Sequence, residues 1–197
     1  LGHLGEAIAR PRLRPLMAVW ALVPFAFAGY TVALPLHAAA AFGWRERELG
    51  ILFTIIGVTA AFVQGYLFGK LVRRMGERAL VIAGTFGMAL AIGVLPFVGS
   101  SGGLYFWTVV LAFANSLFAP AATGLVSVYA QPTEQGAVLG AAQAIGALGR
   151  MGGPPAIGAV YDGVSAAGAF LLAGTIMATA GAVGLRLHRV PPAAFEP

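Results

Sequence analysis

Residues 140–158 read GAAQAIGALGRMGGPPAIG, and their composition limits the kind of helix they can form. Glycines recur at helical spacing through an apolar sequence, which then reaches Gly153, Pro154 and Pro155. In water a helix loses about 1 kcal/mol for each glycine and about 3 kcal/mol for each proline. In a membrane, neighbouring helices approach such residues closely and satisfy the backbone groups that they free. The stretch therefore predicts a packed, bendable transmembrane helix.

The whole chain has the composition of a membrane protein. Of its 197 residues, 59% are hydrophobic and 10% are charged, whereas soluble domains carry about 25% charged residues. The absence of cysteine excludes a disulfide framework and a thiolate metal site. The net charge of +5 arises from basic residues in short connections between apolar segments. Because this distribution follows membrane topology, we expect a lipid bilayer and no nucleic acid as partner.

Six segments are long enough to cross a hydrocarbon core about 30 Å thick, which requires roughly 20 apolar residues each. We expect an all-α membrane protein with a six-helix transmembrane bundle over residues 16–187. The predicted spans are 16–39, 49–68, 79–98, 104–129, 137–159 and 166–187.

Lys and Arg are distributed unequally between the two sides of these spans. One side has Arg10, Arg12, Arg14, Lys70, Arg73, Arg74, Arg78, Arg186 and Arg189, and the other has Arg45 and Arg47. The positive-inside rule then places both termini in the cytoplasm and Gly99–Gly103 outside. The chain begins with Leu1 and lacks a signal sequence, so we expect residues 1–15 to end a cytoplasmic linker. Residues 188–197 are predicted to form a cytoplasmic tail.

Polar residues inside predicted spans are costly and therefore informative. They are His37, Gln64, Asn115, Gln143 and Arg150. Asn115 falls near the middle of the fourth span, where it either lines a cavity or bonds another helix. Arg150 is the charged residue inside a span, with three open roles: structure or gating, pairing with a substrate or carboxylate, and snorkelling to the lipid interface. His37 lies near the external end, as an interfacial residue or a proton carrier.

The connection over residues 69–78 resembles the loop between the second and third helices of the major facilitator superfamily. The signature of that family is Gly-x-Leu-x-Asp-Arg-x-Gly-Arg-Arg. The matching residues are Gly69, Leu71, Arg74, Gly76 and Arg78. Arg73 replaces the acidic residue that normally makes the gating contact, and this degenerate form resembles the equivalent loop of the family's C-terminal half.

The fifth span resembles the drug:proton antiporter branch of the family, whose fifth helix carries glycines and a Gly-Pro pair at fixed spacing. The matching residues are Gly140, Gly149, Gly153, Pro154 and Gly158, and Ile157 replaces one glycine of the pattern. Pro120, Gly124, Ser127 and the Glu134-Gln135-Gly136 turn are similar to antiporters of the tetracycline-resistance type.

This resemblance implies the C-terminal six-helix half of a transporter, built from two inverted three-helix repeats. The other half of the same transporter is then a partner. The first and fourth helices would line a midplane cavity, so Phe27, Tyr30 and Asn115 are candidates for the substrate pathway. The second and fifth helices would face the other half. The gating and interface candidates are Gly69, Arg74, Gly76, Arg78, Gln64, Gln143, Gly149, Arg150, Gly153, Pro154 and Gly158.

The resemblance implies export of drugs or small metabolites coupled to protons, by alternating access, in a bacterial cytoplasmic membrane. No predicted span contains Asp or Glu, so the protonatable carboxylate would belong to the other half. One alternative is a self-sufficient six-helix subunit that forms a homodimeric transporter or pore. A membrane-embedded enzyme is disfavoured because Gly-x-Ser-x-Gly and His-Glu-x-x-His are absent. We therefore expect no catalytic residue, metal or cofactor.

Overall fold

The computed structural model describes residues 11–188, and all regular structure in this range is helical. The α-helices are α1 (Arg14–Phe42), α2 (Glu46–Phe62), α3 (Phe68–Val94), α4 (Ser101–Tyr129), α5 (Gln135–Gly163) and α6 (Ala166–Gly184). A π-helical turn, Val63–Leu67, joins α2 to α3, and a 3₁₀ turn, Leu95–Phe97, follows α3. Most of the predicted linker, and the predicted tail beyond His188, lie outside the described residues.

Several helix ends are fixed by local hydrogen bonds. Gly43 ends α1 with φ 66°, and its N–H donates to the carbonyl of Ala39 at 3.0 Å. This is the left-handed cap that glycine adopts without a steric penalty. Ser100 and Ser165 precede α4 and α6, and each hydroxyl oxygen accepts from the backbone N–H three residues later, at 3.1 and 2.9 Å. These caps satisfy donors that the first helical turn leaves free.

Four helical segments among the described residues are long and apolar enough to cross a membrane. They are Arg14–Phe42, Glu46–Phe97, Ser101–Tyr129 and Ala166–Gly184. The second has 52 residues and would measure about 78 Å if it were straight, against a core of about 30 Å. Gly76 breaks it with φ 75° and ψ 160°, outside the helical region.

The break at Gly76 differs in extent from the connection predicted over residues 69–78. Helix continues up to Met75 and resumes at Glu77, so the departure from helical geometry is confined to one residue. The reason is packing, because Leu71 and Val72 lie against the hydrophobic core and hold this part of the chain in helical conformation.

The helices pack so that α1 and α3 each contact two long neighbours. Helix α1 packs against α5 and α6, and α3 packs against α4 and α6, while α2 lies against α4. The α1 and α5 backbones approach so closely that a Cβ on Gly153 would overlap the carbonyl oxygen of Phe25. A Cβ on Gly149 would lie 2.6 Å from the carbonyl oxygen of Ala21. Small residues are what allow such close crossing of membrane helices.

Candidate functional site

Two cavities lie between α1 and α4 and share the residues Phe27, Thr31 and Asn115. One, of about 150 Å³, also contacts Tyr30, and we name it the Tyr30 cavity. The other, of about 380 Å³, extends to Arg150 on α5, and we name it the Arg150 cavity. The three shared residues make the two cavities neighbours along one face of α1.

Asn115 lies at the midpoint of α4, 14 residues from Ser101 and 14 from Tyr129. That corresponds to about 21 Å of helix on either side. Its side chain is half-buried and lines both cavities. Over residues 11–188 the amide has no hydrogen-bond partner, so the interhelical bond considered from the sequence does not form within this range. The amide is therefore available to a molecule in either cavity.

Tyr30 and Phe27 form an aromatic wall of the Tyr30 cavity. Tyr30 is 2% exposed, and its ring centroid lies 5.6 Å from that of Phe27 and 6.5 Å from that of Phe170. Its hydroxyl is buried and has no hydrogen-bond partner among the described residues. Buried hydroxyls usually have a partner, since an unpaired one costs about 1–3 kcal/mol. The three residues predicted to lie on the substrate pathway thus surround one cavity.

Trp20 and Arg150 border the Arg150 cavity at its other end. A methyl placed on Gly146 would lie 3.4 Å from Nη1 of Arg150 and 3.4 Å from Cε3 of Trp20, so both side chains lie beside Gly146. The indole Nε1 of Trp20 is buried without an acceptor, and the guanidinium of Arg150 has no carboxylate or carbonyl partner within the described range.

Sequence reasoning did not include Trp20 or Thr31 in the site. Their position on the cavity face could have been found from the spacing of four residues along α1, namely Trp20, Pro24, Phe27 and Thr31. These residues recur every three or four positions and therefore share one face of the helix. The apolar residues on the other faces of α1 hide this pattern, because nearly the whole helix is hydrophobic.

The predicted interface residues of the second and fifth helices have different surroundings. Gly149 and Gly153 face α1 of the same chain, whereas Gly158 has nothing within 4 Å of its Cβ position. Pro154 is half-buried, and Gln143 is exposed. Gln64 is also exposed and belongs to the π-helical turn, which the sequence pattern did not predict.

The predicted gating residues of the stretch 69–78 belong to the first part of α3, and Arg78 among them lies where α3 meets the end of α6. Arg78 donates from Nε to the carbonyl of Leu187 at 2.7 Å and from Nη2 to that of Leu185 at 2.8 Å. The hydroxyl of Tyr129 donates to the carbonyl of His188 at 2.7 Å.

The other residues of this part of α3 are more open. Arg74 is exposed. A Cβ on Gly69 would lie 3.8 Å from Nη1 of Arg73, and no other described side chain beyond its chain neighbours lies within 4 Å. Lys70 places its ammonium 3.6 Å from the ring centroid of Tyr66. Arg78 therefore has a defined structural contact, while Arg74 is free to meet another part of the protein.

His37 lies in the C-terminal half of α1 in an aromatic setting. Its ring centroid is 5.3 Å from that of Phe170, and its Nε2 is buried without a partner in the described part of the chain. At the same end, the indole of Trp44 stacks on Tyr105 at 4.6 Å and donates to the hydroxyl of Ser101 at 3.0 Å.

Long apolar helices thus surround two mostly apolar cavities that contain a few polar groups, and comparison with known sequences identifies the family. The Major Facilitator Superfamily profile matches residues 16–196. The chain therefore belongs to the Major Facilitator Superfamily, a family of transporters and not of enzymes.

Named relatives come from animals and bacteria. The chain is 30% identical to Major facilitator superfamily domain-containing protein 10 of Mus musculus, over 76% of this chain and 32% of that protein. It is 31% identical to Multidrug resistance protein 2 of Bacillus subtilis, over 86% and 41%. It is 27% identical to Tetracycline resistance protein, class C, of Escherichia coli, over 61% and 30%. The resemblance to tetracycline-type transporters is thereby confirmed.

A solved structure has the same fold. The crystal structure of the human organic anion transporter MFSD10 (TETRAN) superposes with a TM-score of 0.84 at 24% identity, covering 92% of this chain and 45% of that one. The chain thus spans less than half the length of the proteins named here.

Proposed function

We propose that this chain is the C-terminal half of a secondary active transporter that exports drugs or small metabolites. The observation that carries the proposal is the pair of cavities at the centre of α4, where Asn115 and the Tyr30 hydroxyl have no partner within the described residues. Unsatisfied polar groups at membrane depth are expensive, and binding a substrate offsets that cost. Relatives named for tetracycline and multidrug resistance support export as the direction of transport and drugs as the class of substrate.

The proposed bundle has six transmembrane helices in two inverted repeats. Two passes come from the 52-residue segment, because the break at Gly76 leaves a length sufficient for a span on each side. Helix α5 supplies the remaining pass, with 29 residues. Helix packing supports the symmetry. In this symmetry the first, second and third passes correspond to the fourth, fifth and sixth. The contact of α1 with α6 then corresponds to the contact of α4 with α3, and both contacts occur.

The proposed partner is the N-terminal six-helix half of the same transporter, facing α2 and α5. Large apolar side chains on these helices are exposed, including Val58 at 64%, Leu148 at 64% and Met151 at 72%. Gln64 and Gln143 accompany them on the exposed surface. Alternating access would result from the two halves rocking about this contact, with the substrate held between them.

The proposed coupling ion is the proton, and the carboxylate that carries it belongs to the other half. The acidic residues of the described range lie at helix ends, as Glu48, Glu77 and Asp162 illustrate. The proposed location is a bacterial cytoplasmic membrane, with both termini in the cytoplasm, as the distribution of Lys and Arg indicates.

Vesicle transport tests the proposal. The chain is expressed in Escherichia coli alone and together with the N-terminal half, and inverted vesicles are prepared from both strains. We expect an imposed proton gradient to drive uptake of at least one of radiolabelled tetracycline, ethidium and 2-naphthoate only when both halves are present. Gradient-driven uptake by the chain alone would instead support the homodimeric alternative. Uptake that is independent of the proton gradient in both strains would contradict proton coupling.

A further inference from the structure

The Arg150 cavity contains an uncompensated positive charge near the middle of the bundle. Arg150 lies 15 residues from the start of α5 and 13 from its end, which is about 20 Å of helix in either direction. It is the charged residue among those lining the cavity, and none of the described residues pairs with its guanidinium. Arg150 is exposed and lines the cavity, so an anion that enters can reach its guanidinium, which stays charged because arginine does not deprotonate in proteins.

Two side chains that line the cavity have hydrogen-bond donors without acceptors among the described residues. The amide of Asn115, on the facing helix, is half-buried and without a partner within residues 11–188. The guanidinium of Arg150 carries five donors in a rigid fork. The Nε1 of Trp20 is enclosed and does not reach the cavity surface. The cavity thus offers donors from α4 and α5 to a ligand that accepts.

The remaining lining of the cavity is apolar and partly aromatic. Phe27 and Phe118 contribute rings, and Val23, Pro24 and Ala119 contribute aliphatic surface. A ligand that fits therefore combines an anionic end with a flat apolar body. A single guanidinium matches the charge of one carboxylate, and the planar fork matches its two oxygens. A phosphate dianion would leave charge unmatched in a cavity with one cation.

We propose that the Arg150 cavity is a subsite for the carboxylate of an aromatic substrate. The Arg150 guanidinium binds the carboxylate in bidentate fashion, and the Asn115 amide donates to one of its outer lone pairs. Phe27 and Phe118 contact the ring system. This inference rests on the proposed transport function, which it narrows from drugs or metabolites in general to organic carboxylates.

A pair of matched probes tests the charge requirement. The full chain is placed in lipid nanodiscs, and equilibrium dialysis measures binding of radiolabelled 2-naphthoate and of 2-naphthamide, which has nearly the same shape without the charge. We expect naphthoate to bind at least tenfold more tightly. Equal affinity for the two probes, or no binding of naphthoate, would overturn the subsite.

Variants locate the interaction. Arg150→Gln should weaken naphthoate binding by tenfold or more and leave the affinity for naphthamide unchanged. Arg150→Lys should give an intermediate affinity for naphthoate, because lysine keeps the charge and loses the bidentate geometry of the guanidinium. Asn115→Leu should weaken naphthoate binding about threefold. Arg47→Gln, which removes an exposed arginine outside the cavity, is the matched control and should have no effect. Naphthoate binding that is unchanged in Arg150→Gln would overturn the subsite.

Folding is checked by size exclusion for every variant. If Arg150→Gln does not fold, Arg150→Lys and Asn115→Leu decide the matter by the same criteria. The transport experiment separates this inference from the function on which it rests. Proton-driven ethidium flux together with Arg150-independent naphthoate binding would reject only the subsite. Arg150-dependent binding without flux of any probe would reject only the transport function.

Discussion

At the scale of single residues, the informative groups are polar side chains that lack a partner. Asn115, Trp20 Nε1 and the Tyr30 hydroxyl lie around two adjoining cavities, and none of them bonds elsewhere in the described range. Nearby hydroxyls behave differently, since Thr31 donates to the carbonyl of Ala28 at 2.7 Å and Ser116 to that of Ala112. The contrast separates side chains satisfied by their own helix from those without a partner. Among the latter, Asn115 is half-buried, whereas Trp20 Nε1 and the Tyr30 hydroxyl are enclosed.

Asn115→Leu is the residue-scale prediction. The substitution removes the amide that faces both cavities, so we expect transport to fall about three- to tenfold, the equivalent of one net hydrogen bond. Protein yield should be unchanged, because the amide bonds nothing within the described residues. Initial rates in the vesicle assay provide the measurement. Thr123→Val is the control, since its hydroxyl donates to Ala119 of its own helix at 3.1 Å. Equal loss in both variants would point to a general effect on α4.

At the scale of secondary-structure elements, α5 shows which of its glycines another helix packs against. The pattern of residues 140–158 predicted a helix that another helix can approach, and α1 of the same chain is the neighbour that approaches Gly149 and Gly153. Gly158, about one and a half turns beyond Gly153 at the end of the pattern, has none of the described residues within 4 Å of its Cβ position. The same motif therefore contains positions with opposite tolerance for a side chain.

Gly153→Ala and Gly158→Ala test this difference. The added methyl at position 153 overlaps the backbone of Phe25, so we expect a loss of about 1–3 kcal/mol in stability, the usual cost of overpacking. At position 158 the methyl meets open space, and replacing a helical glycine by alanine should be neutral or stabilising by up to about 1 kcal/mol. Thermal unfolding in detergent measures both. Similar melting temperatures for the two variants would contradict the close approach of α1 and α5.

Gly76→Ala tests the break that separates two helical passes. A φ of 75° with a ψ of 160° lies in a region that alanine avoids, so we expect destabilisation of about 1–3 kcal/mol. Gly57→Ala is the control, because Gly57 is helical and has nothing within 4 Å of its Cβ position. Thermal unfolding again provides the comparison. If the Gly76 variant were as stable as the control, the break would not depend on glycine.

A second element-scale prediction concerns the end of α6. Arg78 holds the carbonyls of Leu185 and Leu187, so Arg78→Gln removes two charge-assisted hydrogen bonds from this segment. We expect limited tryptic cleavage after Arg186 to become several-fold faster, because the segment opens more often. The rate of appearance of the shortened chain on a gel measures it. Arg74→Gln, at an exposed position, should leave the cleavage rate unchanged.

At the scale of the whole molecule, orientation in the membrane is open to direct test. The chain has no cysteine, so single cysteines are clean reporters. In intact cells, a membrane-impermeant maleimide should label Gly102→Cys, which lies at the predicted external end and has an open Cβ position. Thr133→Cys, in the exposed turn before α5, should react only in inverted vesicles. The reverse pattern would overturn the assignment of both termini to the cytoplasm.

The sequence by itself determined the class of the protein and the approximate positions of its helices. Hydrophobicity and glycine spacing are local properties, and a membrane leaves a helix as the main way for an apolar segment to satisfy its backbone. Predicted spans such as 104–129 and 137–159 therefore lie within the observed Ser101–Tyr129 and Gln135–Gly163. Asn115 and Tyr30 were recognisable because a polar group in an apolar segment stands out.

Only the tertiary structure decided which of these residues meet. The neighbour of Gly153, the inclusion of Trp20 and Thr31 in the cavity lining, and the contact of Arg78 with Leu187 all join residues far apart in sequence. In a chain this apolar, every face of a helix looks alike, and periodicity cannot tell the face that meets another helix from the face that meets lipid. Helix packing makes that choice, because close fit of backbones and side chains selects one neighbour.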